Sequence, residues 1–270
     1  MLPEKFLERM QNMLGEEYPA FLESLSGKRY RALRLNPLKT RIQEGKEKLP
    51  FALSPVPWTK NGFYYEEEEQ PGKHPYHEAG LYYIQEPSAM APVPCLMEER
   101  ASAATIPERQ EEPATPGRVL DLCAAPGGKS IHLAEKLRGT GHVEARDVSE
   151  QKVALIDENI KRCRLTNITA KCQDATVLDE ASVRTADVLI ADLPCSGLGV
   201  LRRKTDIKYR MNPEGEESLV ALQRQMLSVV CEYVKPGGTL IYSTCTIHTA
   251  ENEGNARWFE QTHPEFTLDT

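Results

Sequence analysis

Arg118-Val119-Leu120-Asp121-Leu122-Cys123-Ala124-Ala125-Pro126-Gly127-Gly128-Lys129-Ser130 is the stretch that decides the fold. Residues 118–123 read as a buried strand, and Pro-Gly-Gly turns the chain into a helix over about 129–138. Strand, glycine-rich turn and helix make the opening unit of a doubly wound α/β sheet. Glycines let backbone amides approach a ligand at the helix N-terminus, where a carboxylate is welcome. The loop carries neither G-x-G-x-x-G nor G-x-x-x-x-G-K-[ST], so neither a dinucleotide nor a nucleoside triphosphate is indicated.

Downstream, strands are predicted over His142–Asp147, Ile168–Cys172, Ala186–Ala191 and Thr239–Ser243. Helices are predicted from Ser149, as N-cap, to about Leu165, over Glu216–Val234 and over Ala250–Gln261. Lys235-Pro236-Gly237-Gly238 closes the second of them, and Phe266-Thr267-Leu268 opens another strand. This alternation predicts a Rossmann-like parallel sheet with its ligand crevice at the carboxyl ends of the strands. Upstream, amphipathic helices fill residues 1–25 with a break near Tyr18-Pro19, and a strand covers 30–35. Short strands and turns then lead to a helix near 87–96. Phe63, Tyr64, Tyr65, Tyr82 and Tyr83 are candidates for stacking on bases, though filling a small core is their ordinary use. Residues 97–117, rich in Glu, Ala, Pro and Thr, read as a linker or insertion. The expected domains are a smaller α+β domain (1–96), the linker (97–117) and the α/β domain (118–270).

At 270 residues with 40% hydrophobic content, the chain has the composition of an ordinary globular protein. No apolar run approaches the roughly 20 residues of a membrane helix, and the polar N-terminus is unlike a leader; a cytoplasmic protein is expected. Seven cysteines without C-x-x-C spacing indicate free thiols and no metal site. The net charge of −7 argues weakly against a nucleic-acid partner, but basic residues crowd Lys28–Lys48 and Arg202–Arg210. The second run lies just past Cys195, where phosphate contacts are expected.

Three acids stand at successive strand ends: Asp147, Asp174 and Asp192. Singly, each is an ordinary cap or turn residue. Together, after the glycine-rich loop, they indicate an adenosine-containing cofactor. Asp192-Leu193-Pro194-Cys195 and Ser243-Thr244-Cys245 deliver two thiols to the same sheet edge, so one site with a cofactor and two cysteines is expected.

D-L-C-A-A-P-G-G-K-S (121–130), A-D-L-P-C-S-G-L-G-V-L-R-R-K (191–204) and Y-S-T-C-T-I-H-T-A-E-N-E (242–253) together closely resemble the Nop/Sun family of RNA cytosine-5 methyltransferases. Residues 34–39 and 85–90 resemble its bacterial RsmF-type branch, which acts on small-subunit ribosomal RNA. The resemblance implies S-adenosyl-L-methionine as cofactor. Its amino-acid portion would be cradled by Cys123, Ala124, Ala125, Pro126, Gly127, Gly128 and Lys129. Asp147 would hold the ribose and Asp174 the adenine, with Asp192 between cofactor and base. Cys245 matches the family's nucleophile and Cys195 its second cysteine. Lys129 or the Arg202–Lys204 run would supply the positive charge that activates Cys245. Asp192, with its carboxyl protonated, would meet N3 of cytosine. RNA, single-stranded or looped, is the expected partner of a monomer. A DNA cytosine-5 methyltransferase or a catalytically weak RNA-binding scaffold are the alternatives. Relatives of this type continue beyond the Ser-Thr-Cys motif, so missing final strands and an exposed sheet edge are expected.

Overall fold

The computed structural model describes residues 2–96, 117–209 and 213–269. The expected linker lies, from 97 to 116, outside the described residues, as does Arg210. The first elements are α1 (Glu4–Leu14), α2 (Tyr18–Ser26), β1 (Arg31–Leu35), α3 (Ile42–Lys48), β2 (Ser54–Pro55), β3 (Gly62–Tyr65), α4 (Pro75–Glu78) and β4 (Tyr82–Ile84). A helical segment α5 covers 92–96. Then follow β5 (Arg118–Leu122), α6 (Gly128–Leu137), β6 (His142–Asp147), α7 (Glu150–Cys163), β7 (Ile168–Cys172) and β8 (Ala186–Asp192). The last are α8 (Pro213–Val230), β9 (Val234–Ser243) and α9 (Glu253–Thr262).

The chain divides into two compact units: Tyr30–Asp192 with Val229–Ile241, and Met1–Arg29 with Leu193–Ser228 and Tyr242–Thr270. In the first, a five-stranded sheet runs in the order β7-β6-β5-β8-β9. β5 is parallel to both β6 and β8, and β6 to β7. Strand order reverses at β5, so the glycine-rich loop leaves the sheet at its topological switch point. Val119, Val188 and Ile190 from the strands share one core with Ile131, Leu133 and Leu137 of α6 and Ile156 and Ile160 of α7. The predicted Rossmann-like architecture is therefore present.

A second, antiparallel sheet of order β2-β3-β1-β4 belongs to the same unit. Phe63 and Tyr82 join Leu33 and Leu35 in its core, while Tyr83 packs into the core of the large sheet. Packing is thus the role of these three aromatics; Tyr64 and Tyr65 are half-buried. Arg34 leaves β1 to meet Glu135 of α6, both side chains wholly buried, and its Nε donates to Gln85 at 3.0 Å. The other unit has its own core, in which Phe6 and Met10 of α1 pack with Leu198 and Leu201.

Several boundaries differ from the sequence expectations. The break between α1 and α2 falls at Gly15–Glu17, and Pro19 sits in the first turn of α2, where its missing N–H costs nothing. Ser149 occupies the N-cap position of α7, but its side chain makes no capping bond. α8 stops at Val230 and β9 begins at Val234, so Lys235-Pro236-Gly237-Gly238 lies within strand rather than ending a helix. Residues 266–268 form no strand; Leu268 is 65% exposed and has no sheet neighbour to pair with.

Candidate active site

In the unit containing the large sheet, the loop after β5 is pinned at both ends. Ala124 N–H donates to the Arg146 carbonyl at 2.8 Å, and Gly127 N–H closes a turn onto Ala124 at 2.7 Å. Gly127 takes φ +101°, a left-handed conformation that a side chain disfavours, and α6 starts at the next residue. The Asp147 carboxylate, 3% exposed, accepts from Ala125 N–H at 3.2 Å and lies 3.3 Å from the Lys152 ammonium. It therefore ties the end of β6 to the loop.

Lys129, in the first turn of α6, donates to Asp192 at the end of β8 at 2.6 Å. Its ammonium is thus engaged by a carboxylate, and Asp192 is an acceptor in this pair rather than a lone acid. Asp121 is wholly buried; Ser130 Oγ donates to one of its oxygens, while the other has no partner among the described residues. Burial pushes the Asp121 carboxyl up to about 7, against the opposing pull of the Ser130 hydrogen bond. Burial, then the nearby Asp147 and Asp121, pushes the Cys123 thiol up to about 12, which leaves it inert near neutral pH. Asp174 lies two residues beyond Cys172, the register partner of Asp147. It is exposed and accepts from Thr176 N–H at 2.8 Å and Thr176 Oγ1 at 2.7 Å, bonds that lower its pKa. This is an Asx turn, the ordinary use of such a residue.

The other unit holds the two cysteines. Their sulfurs are 3.1 Å apart, and Cys245 N–H points at the Cys195 sulfur at 3.2 Å. Gly197 (φ +73°) turns the Cys195 segment back, and Gly199 N–H donates to the Cys245 carbonyl at 3.0 Å. A Cβ on Gly199 would sit 2.9 Å from that oxygen, so only glycine permits this approach. The hydrogen bond to Cys245, and then burial, push the Cys195 thiol far above its usual range. Cys195 is therefore held as the thiol, and either sulfur can be the donor in its contact with Cys245.

Around the thiols lies a network that sequence reasoning missed. Glu251 is wholly buried and accepts from Ser196 N–H at 2.9 Å, Ser196 Oγ, Gln223 Nε2 at 2.9 Å and, at 3.2 Å, His248 Nδ1. Ser196 Oγ also meets Thr246 Oγ1 at 2.8 Å. Glu251 stood in the quoted T-A-E-N-E run, but a Glu beside a helix start reads as surface until tertiary contacts bury it.

The basic runs are partly consumed by the fold. Arg34 is buried, Lys39 donates to the carbonyls of Ala79 and, at 3.1 Å, Arg162, and Arg31 pairs with Glu67 at 2.6 Å. Arg202 donates to the carbonyls of Gly27 and, at 2.6 Å, Lys28, whereas Arg203 and Lys204 are exposed. Among the described residues, no helix is long and apolar enough to cross a membrane.

Comparison with known proteins bears on the family and the fold. Residues 109–270 match the family model of the 16S rRNA methyltransferase RsmB/F, and residues 2–87 that of the N-terminal domain of 16S rRNA methyltransferase RsmF. The Ribosomal RNA small subunit methyltransferase F of Escherichia coli O81 (strain ED1a) is 32% identical over 97% of this chain and 54% of its own length. That of Citrobacter koseri is equally similar, at 32% over the same shares of both chains. The chain thus spans about half the length of the curated relatives it matches. A solved methyltransferase homolog protein from Pyrococcus horikoshii is 28% identical, with TM-score 0.75 over 96% of this chain and 83% of that one. NSun6 from the same organism, solved with SFG, shares the fold at TM-score 0.76 and 20% identity, over 96% of this chain and 87% of its own. The chain belongs to the RsmB/F family of 16S rRNA methyltransferases.

Proposed function

We propose that this chain methylates carbon 5 of cytosine in RNA, in 16S ribosomal RNA, using S-adenosyl-L-methionine and a covalent cysteine adduct. The observation that carries the reading is the pair of thiols, Cys195 and Cys245, held sulfur to sulfur at 3.1 Å.

The residues around the glycine-rich turn suit that cofactor. A buried Asp121 oxygen without a donor beside an open helix N-terminus fits an amino-acid group, whose ammonium and carboxylate need one of each. Cys123 to Lys129 would hold this portion, Asp147 the ribose and Asp174 the adenine. When bound, S-adenosyl-L-methionine supplies a methyl group made electrophilic by its sulfonium.

Carbon 5 of cytosine is too electron-poor to accept that methyl unaided. Addition of the Cys245 thiolate to carbon 6 forms a carbon–sulfur bond and turns the ring into an enamine that is nucleophilic at carbon 5. Negative charge gathers at N3, where the Lys129–Asp192 pair would hold the proton. After transfer, a base removes the carbon 5 proton, the ring electrons expel the Cys245 sulfur, and the Cys195 thiol steadies the departing thiolate. The target base must be unstacked, at a cost of roughly a few kcal/mol, which favours single-stranded or looped RNA. We place the protein in the cytoplasm as a monomer.

The test is mass mapping of 16S rRNA incubated with the protein and methyl-labelled cofactor. Label at cytosine carbon 5 is expected; label only on another atom or base would overturn the reading.

A further inference from the structure

Glu251 has a carboxylate that is wholly buried and, among the described residues, accepts hydrogen bonds from no guanidinium or ammonium. Its oxygens accept from Ser196, Gln223 and His248. Ser196, directly after Cys195, gives it both N–H and O–H. Gln223 bridges it to the Pro194 carbonyl at 2.8 Å, directly before Cys195. On the Cys245 side, Ser196 Oγ reaches Thr246 Oγ1, and Asn252 takes the Thr244 hydroxyl while donating to the Thr246 carbonyl at 2.9 Å. The Glu251 carbonyl accepts from Tyr242 OH, and Asn255 joins Gln223 at 2.7 Å to that same hydroxyl at 3.2 Å. Ser196 is therefore bonded to Glu251 directly, Pro194 and Thr246 through one intermediate each, and Thr244 is held to Thr246 by Asn252. A buried carboxylate is costly unless its acceptor sites are filled. Here they are filled by Ser196, beside Cys195, together with Gln223 and His248, and Ser196 Oγ carries the link on to Thr246, beside Cys245.

We infer that Glu251 is a positioning residue that holds Cys195 and Cys245 in mutual register for catalysis. This rests on the proposed use of Cys245 as nucleophile, but the register itself is measurable without any methyl transfer. Replacing Glu251 by Gln is compatible with the network. The amide oxygen takes the Ser196 N–H and Gln223, and its NH₂ faces Ser196 Oγ and His248 Nδ1, a hydroxyl and an imidazole nitrogen that both switch between donating and accepting. Alanine offers neither.

The experiment uses diamide, which takes two electrons and two protons from a thiol pair and becomes a hydrazine, leaving a disulfide. The rate of Cys195–Cys245 disulfide formation, read by peptide mass, reports how closely the sulfurs are held. Glu251→Ala is expected to slow this reaction about 10-fold and methyl transfer about 100-fold, the scale of a small misplacement of reacting groups. Glu251→Gln should rescue both to within about 3-fold of the parent. Should Glu251→Ala fail to fold, Ser196→Ala decides, with disulfide formation slowed about 3-fold or more. A folded Glu251→Ala, or Ser196→Ala in its stead, that forms the disulfide at the parent rate overturns the inference. So does a Glu251→Gln variant as slow as Glu251→Ala. If instead Cys245→Ala keeps its methyl transfer while the diamide rates behave as stated, the nucleophile reading fails and the positioning role stands.

Discussion

Lys129 spans from the first turn of α6 to the end of β8 and donates to Asp192 at 2.6 Å. The sequence offered Lys129 for the cofactor cradle or for activating Cys245, whereas this bond makes it the partner of Asp192, which under the proposed function is a second task. The two tasks separate kinetically, because a group acting only in the transition state changes kcat and not KM. Lys129→Met is expected to lower kcat about 100-fold while the cofactor KM stays within about 3-fold. Steady-state kinetics check this, and a rise in KM at unchanged kcat would return Lys129 to the cradle alone.

The thiols should fail in different ways. Cys245→Ala is expected to lower methyl transfer by about 1000-fold or more while cofactor binding, measured by calorimetry, is retained. Cys195→Ala should instead accumulate an RNA–protein adduct that survives denaturing electrophoresis. Normal turnover by the first variant, or free product release by the second, would reverse the assigned roles.

Asp121 should leave a mark on stability. In the folded chain burial raises its carboxyl from the ordinary 3.8 to about 7. Between those values the folded state binds more protons than the unfolded, so stability falls as pH rises from about 4 to 7 and is fully present only below that range. The shift corresponds to on the order of 4 kcal/mol. Asp121→Asn keeps an acceptor for Ser130 and removes the titration. Urea midpoints at pH 5 and pH 8 should converge in the variant; an unchanged difference would assign the pH dependence elsewhere.

The pair Arg34–Glu135 should respond oppositely to single and double change. Burial lowers the Arg34 pKa to about 10, and Arg34 Nη2 and Glu135 Oε1 lack partners. Removing one charge strands the other, so Glu135→Gln should cost about 3–5 kcal/mol. Replacing both by apolar residues of similar volume should be near neutral. Denaturant titration of the two variants provides the comparison.

The large sheet was legible because its central strands β5 and β8, buried along most of their length, read as nearly continuous apolar runs between turns. His142–Asp147 and Ile168–Cys172 end where predicted. Lys235-Pro236-Gly237-Gly238 misled because those residues end helices in isolation, and only the sheet shows them as the start of β9. The cysteines were legible through their flanking residues. Glu251, Gln223 and Asn255 were not, because nothing local distinguishes a polar side chain that will be buried from one that faces water. Arg34 was hidden in the same way: it looked like one more charge in a basic run.

That arginine also bears on how this chain tolerates being cut. The Rossmann-like sheet looks self-sufficient from Gly117 onward, and a fragment begun there would carry every residue of the proposed cofactor cradle. It would also carry Glu135 with its counter-charge removed, facing a wall of core formerly covered by Tyr83 and Val93. Trimming toward a minimal enzyme should therefore keep the small antiparallel sheet, or exchange Glu135 for an apolar residue at the same stroke.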